Sequence, residues 1–482
     1  MFLRFVRRLG AVQPLASIVP EERGPKLRRV LGWPGLVAIG LGTMIGGIFT
    51  TIGAGAATAG PGVIAGFLLS GLACVFVALC YAEFAAMVPV AGSAYTYAYA
   101  TLGEFVAWVI GWDLILEYGI SAAPVAASWS AYTQDLFSGM GLRLPVWAQQ
   151  AHLVITDGHI DLAKTHVDLP AVAVVLIISA LLAIGIKEST SVNNALVLLQ
   201  IASILVFIVV CFFFVNPVHF RPFSPLGIHG IVKSAALVFF AYIGFDTVTV
   251  ASEESRNPQR DVPIGILVSL LIGAVLYIGI AYVTVGVVPW QHIDQNAAMS
   301  QAIRMAGHRP IFLLIVAFGA IAGTTTVMIT SLLGQTRIFY VMARDRMLPP
   351  AVARIHPVFH TPARMTMITG FIVAVLAAIV PLEKLLEMVN IGTLSAFSIV
   401  CLGVFVLRFT APDARRPFRA PCGLIISMAG LAMCLYMTFG GLGVATWIRF
   451  AAWFLAGVVV YALYGYRQSR LRRSMPAGQF PV

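Results

Sequence analysis

The stretch "GLGTMIGGIFTTIGAG", residues 40–55, puts six glycines into sixteen positions of an otherwise apolar segment. Glycine weakens a helix by roughly 1 kcal/mol relative to alanine, and a membrane interior offers no water to a broken backbone bond. A lone glycine at such a place reads as a close-packing residue between helices. Six together, flanked by Thr43, Thr50 and Thr51, read as a helix interrupted on purpose.

The rest of the chain explains why a membrane is the relevant solvent. The 482 residues are 59% hydrophobic and only 11% charged, with a mean hydropathy of +0.91. A soluble domain carries about a quarter charged residues, so an ordinary globular enzyme is excluded. Apolar runs recur that are long enough to cross a ~30 Å hydrocarbon layer. They predict an all-α polytopic membrane protein with about twelve helices, near 33–57, 62–88, 98–128, 168–186, 192–215, 231–253, 262–288, 309–342, 365–382, 389–409, 421–438 and 446–466.

Charge sets the orientation. With an even helix count both ends of the chain share one side, and most of the 31 lysines and arginines fall in the two tails and the loops on that side. The positive-inside rule then places both termini in the cytoplasm of a multi-pass cell (inner or plasma) membrane protein. The net +11 needs no nucleic-acid partner, since it matches attraction to an anionic leaflet. The basic segment 1–30 lacks a secretory core and reads as a retained cytoplasmic tail. Six cysteines without a CxxC pair, and nine histidines in tails or loops by these boundaries, predict no disulfide framework and no metal site. No GxxxxGK[ST] loop exists for nucleotide-driven pumping.

Five helices after the glycine stretch, helix 6 reads "AALVFFAYIGFDTVTVASEE" (235–254), with Gly244 and the ionisable Asp246 at its middle. Two interrupted helices at corresponding positions point to two five-helix units of opposite topology with a binding site at the breaks. The chain then divides into a tail (1–30), a first repeat (31–215), a second repeat (231–409), helices 11 and 12 (421–466) and a C-terminal tail (467–482). Free N–H groups at the second half of helix 1, with the positive end of its dipole, suit a carboxylate. Carbonyls freed in helix 6 suit an ammonium. Together they describe an α-amino acid.

The chain resembles the amino acid–polyamine–organocation superfamily of permeases, specifically the cationic amino acid transporter branch and its bacterial relatives. The resemblance is carried by "PVAGSAYTYAYATLGEFVAWVIGWDLILEY" (89–118), "FFAYIGFDTVTVASEESRNPQRDVPIGI" (239–266) and "LLGQTRIFYVMARDRMLP" (332–349). It implies a LeuT-like five-plus-five fold and alternating access, with an L-amino acid held between helices 1 and 6. Carried over by position, Ile45, Gly46 and Gly47 supply amides for the carboxylate. Phe240, Ala241 and Ile243 supply carbonyls for the ammonium, and Phe240 and Phe245 close over the ligand. Phe packing in the core is the equal alternative for each ring.

Three departures from the family pattern bear on mechanism. Helix 1 reads "IGGIF" (45–49), one residue short of the family's I-G-x-G-I-F. Gln200 stands where proton-coupled bacterial relatives often carry a lysine in helix 5, and glutamine cannot titrate. Glu117 in helix 3 is then the substitute proton carrier, or an ionised partner for a cationic side chain, or a neutral acid bonded between helices. Ser331 in helix 8 stands where many neutral-substrate relatives have methionine, a pattern shared with transporters of cationic substrates. With Asp246 and Glu117 as negative partners the expectation leans to arginine, lysine and ornithine. The alternatives are a permease or exchanger for small neutral amino acids and, from another class, a non-transporting amino acid sensor or partner subunit. Glu253 and Glu254 are the candidate inner gate. No cofactor, no enzymatic constellation and no protein partner is inferred; the ligand is a small molecule, the surroundings a lipid bilayer, and proton coupling is an option.

Overall fold

The computed structural model describes residues 31–87, 94–95, 98–99, 102–139, 141–151, 155–156, 159–160, 165–185, 190–307 and 310–469. Both predicted tails, apart from 467–469, and most of the 89–101 part of the first family block lie outside the described residues. Among the described residues twelve longer helices follow one another, with a short one, Ala298–Met305, between the seventh and eighth: Trp33–Ala59, Val63–Met87, Glu104–Gly139, Leu169–Ile184, Thr190–Phe212, Gly227–Val250 in two halves, Pro258–Val287, Pro310–Arg344, Ala363–Ile379, Leu382–Thr410, Gly423–Gly441 and Val444–Gln468. We number them helix 1 to helix 12. Helices 4 and 9 are short, at 16 and 17 residues, while the others are long and apolar enough to span a bilayer. A two-residue hairpin, Ile155–Thr156 against His159–Ile160, lies between helices 3 and 4.

Local chemistry explains the turns. Gly60 at φ +60° ends helix 1, and the Gly60–Gly62 turn carries the chain straight into helix 2. Asp168 caps helix 4 by accepting from the Ala171 N–H at 3.0 Å, and Gly185 at φ +89° closes its other end. His229 falls in the first turn of helix 6 rather than in a loop.

The packing has the symmetry of two inverted five-helix units. Helices five apart touch: 1 with 6, 2 with 7, 3 with 8, 4 with 9. Cross contacts come in mirrored pairs as well: 5 with 8 and 10 with 3, 1 with 7 and 6 with 2, 5 with 1 and 10 with 6. A pseudo-two-fold relation between the units requires this pairing. Helix 11 lies outside the units, on helices 10, 2 and 6.

Helix 1 differs from the expectation. It is one unbroken α-helix of 27 residues from Trp33 to Ala59, about 40 Å long. Its glycines serve close approach instead. A Cβ on Gly40 would lie 2.6 Å from Ser269 Oγ, one on Gly42 2.7 Å from Val197 Cγ2, and one on Gly46 would collide with the Gly323 carbonyl oxygen. Gly53 meets the carbonyls of Asp294 and Gln295, and Gly55 meets Val238. Helices 5, 6, 7 and 8 and the loop after helix 7 thus all press on helix 1. With neighbours this close, the packing role of glycine wins over unwinding.

Helix 6 is interrupted as expected. Its first half, Gly227–Val238, tightens into a 3₁₀ turn at Phe239–Tyr242; Ile243 is extended, and Gly244 takes φ +122°, a conformation glycine reaches without Cβ strain. A second short helical piece, Thr247–Val250, follows.

Candidate functional site

The break in helix 6 leaves carbonyls to be satisfied, and side chains from four helices do it. Tyr277 of helix 7 donates to Ala241 O at 2.8 Å. Asn390 of helix 10 donates to Ala236 O at 2.7 Å and Leu237 O at 3.0 Å, and Ser70 of helix 2 donates to Ala235 O at 2.7 Å. Thr43 of helix 1 donates to Gly244 O at 2.9 Å and lies 3.0 Å from Thr247 Oγ1. Unwound backbone at this depth is tolerated where its polar groups find such partners.

Helix 1 packs directly on the break. A Cβ on Gly47 would sit 3.0 Å from Ala241 Cα and 3.3 Å from Phe240 O, so the two places predicted to hold opposite ends of a ligand touch one another. Ile45, Gly46 and Gly47 are fully buried within the continuous helix. Their amides are therefore committed to the helix, which corrects the assignment of a ready carboxylate site there. The half-buried residues at the break are Thr43, Ile243 and Thr247, so it is at these three that the break is least enclosed.

Phe240 and Phe245 part company. Phe240 belongs to a buried apolar cluster that also takes in Ala122, Ala123 and Ala126 of helix 3 and Val327, Met328 and Leu332 of helix 8, an apolar wall beside the break. Phe245 is wholly buried against Tyr81 (centroids 5.8 Å) and Phe397 (5.4 Å). It is core, not a lid, because the φ of Gly244 turns it towards helices 2 and 10.

The acidic residues gather on the helix 3 side. Tyr118 donates to Asp246 Oδ2 at 3.2 Å, tying helix 3 to the break. Asp246 is thus engaged within the protein, which weakens its expected role as a free partner for a cationic side chain. Glu117, 1% exposed, has no hydrogen-bond partner on either carboxyl oxygen among the described residues. The Thr393 hydroxyl acts on it from helix 10 but donates to Val389 O at 3.2 Å.

Gln200 does occupy the interior. Its side chain lies beside Gly323, where Gly46 and Phe49 also converge, and its amide reaches Thr326 Oγ1 at 3.4 Å while its Oε1 stays unpartnered. Ser331 lies on one face of helix 8 between Val327, which packs on Gly46, and Gln335, which packs on Gly119. That face spans the gap from helix 1 to helix 3, so Ser331 is 7% exposed between the two helices that flank the break. At the end of helix 6, Leu31 and Ser255 form a parallel bridge: Leu31 N–H donates to Glu254 O at 3.0 Å and Arg256 N–H to Leu31 O at 2.8 Å. Glu254 acts there through its backbone; the Glu253 side chain lies outside the described residues.

Residues 31–466 match the family model described as "Amino acid permease". The chain belongs to the amino acid permease family. This permease is 43% identical to the branched-chain amino acid permease BcaP of Bacillus subtilis (strain 168), over 97% of its own length and 99% of that protein's. It is 41% identical to the methylthioribose transporter of the same organism, over 96% and 98% of the two chains. It is also 38% identical to the vacuolar cationic amino acid transporter 4 of Arabidopsis thaliana, over 84% of the permease and 67% of that protein.

Sequence reasoning missed Tyr118, Tyr277, Asn390 and Thr247, the groups that hold the break together. Tyr118 stands next to Glu117 in "LILEY", yet nothing in the sequence says that its hydroxyl reaches across to helix 6.

Proposed function

We propose that this permease is a secondary transporter that moves L-amino acids by alternating access and is not an enzyme, with neutral aliphatic side chains as its preferred substrates. The observation that carries the reading is the carbonyl-rich break of helix 6 with Thr43 and Thr247 at its accessible edge and the Phe240 wall beside it. The two hydroxyls and the neighbouring carbonyls serve the polar end of an amino acid; Phe240, the helix 3 alanines and Val327 serve an aliphatic side chain. The names of the two relatives that match nearly end to end, a branched-chain amino acid permease and a methylthioribose transporter, support uncharged substrates. Purified protein in liposomes should accumulate labelled isoleucine, with valine and leucine competing better than arginine. Arginine as the strongest competitor would replace this reading with the cationic one.

That second reading has its own support in the unpartnered Glu117 carboxyl, which a guanidinium or ammonium would satisfy. The same carboxyl, without a basic partner, serves equally as a proton carrier, since an isolated buried acid is accepted only in its neutral form. We assign it that role, in a proton-coupled symport. Binding without flux would instead point to a non-transporting sensor or partner subunit. The remaining assignments belong to the same reading: two repeats at 31–215 and 231–409, both tails cytoplasmic, residence in the cell membrane, and an inner gate near Glu253 and Glu254. Labelling of cysteines introduced in each tail, in intact and permeabilised cells, checks the orientation.

A further inference from the structure

Seven carboxylates lie buried on the described membrane helices, and four meet donors. Glu83 takes Arg408 at 2.5 Å, Arg416 at 3.2 Å and the Ala420 N–H at 2.9 Å. Glu104 accepts from Tyr461 at 2.9 Å and from Ser469; Glu387 accepts from Thr446 at 2.5 Å; Asp246 accepts from Tyr118. The other three are Asp261, in the first turn of helix 7, and the helix 3 pair Glu117 and Asp113. Among the described residues no hydrogen bond reaches either oxygen of Glu117 or Oδ1 of Asp113, and each residue is 1% exposed.

The pair sits four positions apart on an unbroken helix, hence on one face with Cβ atoms about 5–6 Å apart. Helix 10 packs over this face: a Cβ on Gly392 would lie 3.7 Å from Asp113 O, and Thr393 stands beside Glu117. Asp246 of helix 6 and Thr393 of helix 10 stand near Glu117, and Arg337 of helix 8 stands near the adjacent Tyr118. Two negative charges one turn apart in such a place would repel with no donor to offset them, so the two carboxyls share one proton between them.

We propose that Asp113 is a second proton-binding residue of this permease, one turn from Glu117 towards the start of helix 3. The inference rests on the reading of the chain as a proton-coupled transporter. When Glu117 gives up its proton, ionised Asp113 takes it: the Glu117 O–H bond breaks, the Asp113 O–H bond forms, and the negative charge moves one turn along helix 3. Asp113, 1% exposed here, gives the proton to water once alternating access wets this part of helix 3. A sodium ion is the rival occupant, and it would need several oxygen ligands where this pair offers three unpartnered ones.

The test uses labelled isoleucine and the full-length protein in liposomes. Asp113→Asn should cut accumulation driven by an inward proton gradient by about tenfold or more, while self-exchange at equal pH falls by no more than about threefold. Asp113→Glu, which keeps a titratable group, should restore at least about half of the gradient-driven uptake. Undiminished accumulation in Asp113→Asn, equal loss of exchange and accumulation, or a sodium gradient replacing the proton gradient in the wild type would each overturn the proposal. Wild-type protein that exchanges no isoleucine would instead sink the substrate reading, a separate outcome. A measurement free of folding defects uses dicyclohexylcarbodiimide, which adds to protonated carboxyls in apolar surroundings. Mass spectrometry of the labelled wild type should find adducts on both Asp113 and Glu117; adducts on Glu117 alone would overturn the role of Asp113.

Discussion

The Tyr118 hydroxyl and Asp246 Oδ2, 3.2 Å apart, join helix 3 to the interrupted centre of helix 6. The bond crosses between elements that are far apart in the chain, and it removes a buried carboxylate from the list of groups waiting for a ligand. Tyr118→Phe keeps the ring and deletes the donor. Loss of a donor to a buried charged group costs roughly 1–3 kcal/mol, so the variant should melt several degrees lower and transport more slowly. Thermal melting followed by isoleucine uptake checks both.

Thr43→Val removes a hydroxyl without changing volume. That hydroxyl bridges Gly244 O and Thr247 Oγ1 at the accessible edge of the break. The expected result is a rise of at least about tenfold in KM for isoleucine with a small change in protein yield, as for a lost polar contact to the ligand. An unchanged KM would remove Thr43 from the site.

Gly46→Ala tests the packing of helix 1. The added methyl collides with the Gly323 carbonyl and would lie 2.5 Å from Val327 Cγ2. Overpacking of this kind costs about 1–3 kcal/mol, so the variant should be markedly less stable in detergent. Gly139→Ala, with open space around its Cβ, is the control and should melt like the wild type.

Ser331→Met fills the helix 8 face between Val327 and Gln335. Uptake of isoleucine, and of arginine if it is carried at all, should fall about tenfold more than uptake of alanine, because only long side chains reach that depth. Equal losses for all three would show that Ser331 does not limit side-chain length.

Asp168 gives a pH signature. Burial pushes its carboxyl up to about 7, against the opposing hydrogen bonds from Ser130 (2.6 Å) and the Ala171 N–H. The unfolded chain releases this proton near the ordinary value of 3.8, so between there and about 7 the folded state binds more protons. Its contribution is complete below the lower value and is lost as pH rises through the upper one. Melting temperature should fall between about pH 5 and 8 in the wild type and fall less in Asp168→Asn, which still caps helix 4.

The membrane class, the count of helices and the place of the helix 6 break were legible because they rest on long apolar runs and on one glycine beside one acid. The helix 1 break was misread because six glycines serve two purposes, unwinding and close approach, that look alike in one dimension. Only the neighbours that press on Gly40, Gly46 and Gly53 decide between them. Helix 3 was expected to end near 128 and runs to Gly139, with polar Tyr132, Thr133 and Gln134 continuing the helix at its far end. The donors to the unwound carbonyls were not legible for a simpler reason. Tyr277 and Asn390 lie 36 and 153–154 positions from the groups they serve, and spacing along the chain carries no trace of such pairings.

The backbone bridge between Leu31 and the Glu254–Arg256 segment has a mechanical consequence. It staples the entry of helix 1 to the exit of helix 6, so at that membrane face the two move as a single lever.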